Sequence, residues 1–152
     1  MFATIIDKFY VIIGQRRANK LKRFLTSNKK TTKRILKVNK KFYNIHNGKR
    51  CFIIGNGPSA KAIDFKLLKD EYTFTVNQFA RFTNYQDLNP DYHVFSDERL
   101  FKLDTNKEED LETLNYMSKI AEIRPKVEFF TKMCSKDFFE KIPAFKNANI
   151  NY

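Results

Sequence analysis

The stretch Arg50-Cys51-Phe52-Ile53-Ile54-Gly55-Asn56-Gly57-Pro58-Ser59 sets the fold class of this 152-residue chain. Its first half is a nearly continuous apolar run, the pattern of a strand buried on both faces of a parallel sheet. Asn47-Gly48 marks the turn before it, and the glycines and proline break the run after Ile54. Gly55 permits a sharp exit, Gly57 lets backbone approach a ligand with no Cβ in the way, and Pro58 suits the first helical position, where a missing N–H costs nothing. A strand ending in such a loop and opening a helix presents N–H groups beyond the sheet's carboxyl edge, where α/β proteins bind ligands. An anion there would gain about 0.3–1 kcal/mol from the helix dipole.

Outward from this loop the chain alternates. From Ala60 to Leu68, Ile63, Leu67 and Leu68 suit a short helix interrupted at Asp64, and Tyr72 to Val76 is a second strand, which completes a strand, helix, strand unit. Asn89-Pro90 marks a turn, and Tyr92 to Phe95 reads as a third strand ending in Ser96-Asp97-Glu98. A longer helix runs from about Lys107 to Ile123. Glu108, Glu109, Asp110 and Glu112 crowd its start, where the dipole favours negative charge, and Leu111, Leu114, Met117 and Ala121 mark its buried stripe. Pro125 closes that helix, Val127 to Thr131 makes a fourth strand, and Asp137 to Ile142 is helical. The order is that of an α/β fold with a mostly parallel sheet. The chain stops at Asn149-Ile150-Asn151-Tyr152, where another strand would begin, so the domain reads as C-terminally incomplete.

The charge divides the chain in two. There are 29 Lys and Arg against 17 Asp and Glu, and residues 1 to 48 hold 13 of those bases with Asp7 as their one acid. The whole +12 excess therefore belongs to the N-terminal third, and residues 49 to 152 are balanced. The domains accordingly read as a basic helical extension and linker, 1–46, and an α/β domain, 47–152. In the extension Phe2, Ile5, Ile6, Phe9 and Ile13 recur at helical spacing and run into Arg16, Arg17, Lys20, Lys22 and Arg23. The apolar run Phe9 to Ile13 is far below the ~20 residues a spanning helix needs, and no signal-peptide order precedes it. Such a helix can lie on an anionic membrane surface at about 1 kcal/mol per Lys or Arg. The competing reading is a packing helix followed by a solvated basic linker, Ser27 to Lys41. Nucleic acid is disfavoured, because no recognition motif accompanies the charge. Cys51 and Cys134, far apart and without a neighbouring ligand cluster, read as reduced thiols of a cytoplasmic protein.

Three phosphate-loop chemistries compete for Gly55 to Ser59. A P-loop needs Gly, four residues, then Gly-Lys-Ser/Thr, and Gly55 is not followed by that pattern. The dinucleotide fingerprint fits literally as Gly55-x-Gly57-x-x-Ala60, but the acid expected about 20 residues later is Asn77-Gln78 here, which disfavours a nicotinamide cofactor. The third is a mononucleotide site in which Asn56, Ser59, Asn77 and Gln78 supply neutral donors and acceptors.

The segment Gly48 to Ser59, with Ile63-Asp64, Val76-Asn77-Gln78-Phe79 and Pro90-Asp91-Tyr92-His93-Val94-Phe95-Ser96-Asp97, resembles the MptE-like domain family, named for 6-hydroxymethylpterin diphosphokinase. It is also similar to the related bacterial sialyltransferases of glycosyltransferase family 42. The resemblance spans roughly residues 48 to 101. It implies a Rossmann-like nucleotide-binding domain in a transferase, with Asn56 and Asn77 at positions that contact the CMP part of a sugar donor. A third donor-contacting asparagine of the sialyltransferases is Asp97 in this chain. A carboxylate there repels a phosphate, although it can accept from a ribose hydroxyl or a base amine.

The candidate nucleotide-binding residues are thus Gly55, Asn56, Gly57, Pro58, Ser59, Asn77, Gln78 and Asp97, and no catalytic residue is assigned. No Asp-x-Asp pair and no His/carboxylate cluster stands ready for a metal, and His46 and His93 read as structural. Asp97-Glu98 as a metal or base pair is a minor alternative, since neighbours on an extended segment point to opposite sides. The expected function is the nucleotide-binding portion of a glycosyltransferase-like enzyme of surface glycan assembly, held at the inner membrane face by residues 1–46 and taking a nucleotide-sugar or other nucleotide as substrate. As a fragment without the catalytic second half, it should not catalyse. The alternatives are an ATP-dependent, Mg²⁺-requiring pterin-type pyrophosphokinase and a non-catalytic membrane- or nucleic-acid-binding adaptor.

Overall fold

A computed structural model describes residues 33–34, 37–82, 84–123 and 126–152. The amphipathic stretch Phe2 to Ile13, the basic cluster Arg16 to Arg23, the first part of the basic linker and Pro125 lie outside the described residues. By internal contacts the chain divides into two units, Met1–Lys40 and Lys41–Tyr152. In the first, residues 33–34 and 37–38 are helical. Among the described residues no helix is long and apolar enough to cross a membrane.

The second unit is built on a five-stranded, all-parallel sheet whose strands lie side by side in chain order: β1 (Cys51–Ile54), β2 (Tyr72–Val76), β3 (Tyr92–Phe95), β4 (Glu128–Thr131) and β5 (Asn149–Asn151). β2 and β3 have the bounds expected from their flanking turns. β5 forms at the Asn149 to Asn151 stretch. The long helix is α1 (Glu108–Ile123), with Glu108, Glu109 and Asp110 in its first turn, and α2 (Lys136–Phe139) is a single turn flanked by 3-10 turns. A strand order that always steps the same way, joined by right-handed crossovers, winds every connection onto one face of the sheet.

The two faces differ accordingly. On one, Ile54, Phe95 and Phe129 are buried with Phe65, Phe79 and Leu88 from the connections, Met117, Ile120 and Ala121 from α1, and Phe139 and Phe145 from the C-terminal segment. The other carries Ile53, Phe74, Tyr92 and Phe130, and its cover among the described residues of this unit is thin. Phe42 packs on Phe130 with ring centroids 4.9 Å apart, His46 stacks on Tyr72 at 3.7 Å and bonds the Tyr92 hydroxyl, and Lys41 pairs with Glu128 at 3.1 Å.

Three expectations are corrected. β1 is an edge strand with Cys51, Phe52 and Ile53 exposed and Ile54 alone buried, because an apolar run reports strand character but not rank in the sheet. The helix expected after the glycine loop is two 3-10 turns, Pro58–Ala62 and Phe65–Leu68. Asp64 divides them: its side chain accepts the Lys66 N–H at 3.1 Å and caps the second turn, taking a donor that a continuous helix would have used. In α1 the buried stripe is Met117, Ile120 and Ala121, with Leu114 packed at its margin, and Leu111 is exposed.

Candidate functional site

The carboxyl ends of β1, β2 and β3 open into a cleft walled by α1. A cavity of about 420 Å³ there is lined by Asn56 after β1, Asn77 and Gln78 after β2 and Asp97 after β3, together with Arg81, Arg99, Leu100, Leu103, and Asp110 and Thr113 of α1. A second, of about 350 Å³, shares Asn56, Gln78 and Arg81 with it and adds Pro58, Lys61, Phe82 and Tyr116. Five of the eight candidate residues therefore line this cleft. Gly55, Gly57 and Ser59 belong to the same loop but do not line either cavity.

Asn77 is the most constrained residue of the site. Its backbone is left-handed, φ 48°, a conformation that Asn tolerates better than most residues. Its N–H donates to Val94 O at 2.9 Å, and its carbonyl accepts from His93 Nε2 at 3.0 Å. Its side-chain Oδ1 accepts from the backbone N–H groups of Ser96 at 2.9 Å and Asp97 at 3.3 Å. With Oδ1 engaged by the β3 loop, the Nδ2 amide is left to face a ligand, so Asn77 offers donors only.

His93 holds that geometry. It is fully buried, and because a carbonyl can only accept, Nε2 carries the proton toward Asn77 while Nδ1 accepts from the Thr75 hydroxyl at 2.7 Å. Burial lowers its pKa to about 3, with the bond to the Asn77 carbonyl opposing, so the ring is neutral at physiological pH.

Gln78 is tied at both ends: Nε2 donates to Thr113 Oγ1 on α1 at 3.3 Å, and Oε1 accepts from an Arg81 Nη at 2.7 Å. It braces the cleft and orients Arg81. The Asn56 and Ser59 side chains have no hydrogen-bond partner among the described residues.

Asp97 is not a bare carboxylate. Its side chain accepts the Arg99 N–H at 3.0 Å, capping the turn Glu98–Phe101, and receives the Arg99 guanidinium in a forked pair, with Nη2 to Oδ2 at 2.7 Å. Those bonds hold its pKa below the usual carboxylate value. The repulsion of a phosphate expected from the sequence is offset by Arg99 beside it. Glu98 turns instead to Lys132 at 2.8 Å, so the adjacent acids serve different partners. Among the described residues no three His, Cys, Asp or Glu side chains gather as a metal site.

The glycine loop also behaves differently from expectation. Pro58 does sit at the start of a helical turn, but five residues of 3-10 helix carry no useful macrodipole, so an anion there gains nothing from a helix dipole. Neither Gly55 nor Gly57 has a positive φ, and a Cβ added to either meets no described atom within 4 Å. The chain's own packing does not require glycine at either position.

The residues that sequence reasoning missed are Lys61, Arg81, Arg99, Thr113 and Tyr116. The detectable signal was Arg81, three positions after Gln78 and thus on the same side of a turn. Other motif residues have structural work: Asp91 accepts the Thr73 N–H at 2.9 Å, tying β3's entry to β2, and Ile63 O accepts from Asn84 Nδ2 at 3.3 Å. No protein-family model, no curated protein and no solved structure matches the chain.

Proposed function

We propose that residues 47–152 are the nucleotide-binding part of a Rossmann-like transferase domain, of the glycosyltransferase type that assembles surface glycans. The observation that carries this reading is the convergence of Asn56 and Asn77 on one cavity beyond the carboxyl ends of β1 and β2, with Asn77 locked as a donor and Asn56 unengaged among the described residues. Such positions bind ligands in parallel α/β sheets. Amide donors suit phosphate, ribose and base oxygens, and the two glycines leave the loop's backbone open to close approach. Residues 1–46 would hold the enzyme peripherally at the inner membrane face through their basic charge. One observation favours a second reading, an ATP-dependent pyrophosphokinase: the cations Lys61 and Arg81 at one end of the cleft suit a polyphosphate chain.

Calorimetry of the full chain with CMP, UDP, and ATP with Mg²⁺ tests both. Heat with CMP or UDP that is lost in Asn56→Ala supports the transferase reading, since that exposed side chain has no described partner and its removal should leave the fold intact. Binding confined to ATP with Mg²⁺ would favour the kinase, and no binding to any of them would refute a nucleotide site.

A further inference from the structure

The cleft is electrically lopsided. Around the larger cavity two guanidinium groups, Arg81 and Arg99, face two carboxylates, Asp97 and Asp110, and the remaining lining is amide, hydroxyl and apolar. Arg99 is consumed by Asp97, and Asp110 accepts the Asp104 N–H at 2.9 Å. The smaller cavity has Lys61 and Arg81 in its lining and no carboxylate. Among the described residues neither cation has an ion-pair partner, whereas Lys41, Arg50, Arg99, Lys132 and Lys136 each have one.

Arg81 is also pre-arranged. Gln78 Oε1 holds one Nη, and the guanidinium carbon lies 5.7 Å from the centre of the Tyr116 ring, so the side chain spans the junction of the two cavities. The Tyr116 hydroxyl is turned away to Glu112, which does not line the cavity. An unpaired Lys and a positioned Arg at one end of a cleft, with Arg99 against the two carboxylates Asp97 and Asp110 at the other, sort a ligand by charge. The carboxylate-bearing end suits an uncharged nucleoside and disfavours a phosphate, and the cationic end suits its anionic tail.

Resting on the nucleotide reading above, we infer that the ligand is a nucleoside diphosphate rather than a monophosphate. Its first phosphoryl group lies at Arg81, where the cavities meet, and its second is bound between Arg81 and Lys61. Arg81 is the shared contact and supplies two donors in a fixed fork. Lys61 supplies a mobile point charge at the outer end.

The test is calorimetry on the full chain with matched pairs, CMP against CDP, UMP against UDP and AMP against ADP. The same titrations are run on Lys61→Ala with Arg81→Gln combined, and on Lys132→Gln alone, an exposed, paired cation that lines neither cavity. For at least one base the diphosphate should bind about tenfold tighter than its monophosphate, the scale of a hydrogen-bonded charge pair. The Lys61/Arg81 double variant should bring that ratio close to one, and Lys132→Gln should leave it standing. Circular dichroism checks that both variants stay folded, which their exposed side chains lead us to expect. Equal affinities within every pair, or an advantage that survives the double variant or is lost in Lys132→Gln, would overturn the inference while leaving the nucleotide site intact. Failure of every nucleotide to bind would overturn both.

Discussion

Phe95 and Phe129 on one face of the sheet are essentially sealed, 0% and 1% exposed, while Phe74 and Phe130 on the opposite face are only partly buried. The residue type is the same and the strands are neighbours, so side-chain chemistry does not explain the difference. Topology does: a parallel sheet that steps in one direction sends its crossovers to one side, and that side becomes the core. Among the described residues of this unit the second face carries a short aromatic layer, in which Phe74 stacks on Tyr92 at 4.5 Å and Phe42 closes over Phe130.

The largest test of this contrast is a pair of deletions. Phe95→Ala should cost about 3–5 kcal/mol in urea unfolding, as for a fully enclosed aromatic, and Phe130→Ala clearly less. Equal losses would mean that the two faces are equivalent cores. The next effect concerns His93, a fully buried polar side chain on the deep face beside Thr73 and Thr75. His93→Phe keeps an aromatic ring but strands the Asn77 carbonyl and leaves the Thr75 hydroxyl only the long 3.5 Å contact to Tyr92 O, and should destabilise by about 1–3 kcal/mol. His93→Gln, which can still donate to that carbonyl, should lose less.

His93 also predicts a pH dependence with a definite sign. Its folded pKa, about 3, lies below the ordinary histidine value, so the unfolded chain takes up a proton that the folded chain refuses. That contribution is complete above about pH 6.5 and shrinks as pH falls toward 3. Between pH 7 and 5 the stability of the native chain should fall more steeply than that of His93→Gln; parallel profiles would show that the ring is charged in the fold. The smallest effect lies at the edge of the thin face: Ile53, 77% exposed, should tolerate Lys within about 0.5 kcal/mol, and a large loss would show that β1 is covered in solution.

How much of this was legible beforehand follows from which signals are local. Tyr72–Val76 and Tyr92–Phe95 are bounded by turn residues, and the run of acids before Leu111 marks the start of α1, so these elements were readable. The rank of β1 was not, because Cys51 to Ile54 look alike in a central or an edge strand. The split at Asp64 showed as an interruption, but its consequence, two 3-10 turns in place of one helix, depends on which backbone group the carboxylate captures. In the site, Asn56, Asn77, Gln78 and Asp97 were found because strand ends announce themselves. Thr113 and Tyr116 were missed because nothing in the linear order says that α1 will form the cleft wall, and Lys61 and Arg81 lie in the short turns after β1 and β2, where only Arg81's spacing from Gln78 gave a signal. His93 was read as structural, and its bond to Asn77 makes that role a positioning one for the cleft floor.

Whether a nucleotide binds in this cleft is settled by an NMR titration of the full chain with CDP, UDP and ADP. Saturable shifts are expected in the Asn56 and Asn77 side-chain amides and in the backbone amides of Gly55, Gly57 and Ser59 for at least one of the three. Shifts confined to the basic residues before Lys41, or none with any nucleotide, would contradict a nucleotide site in the cleft.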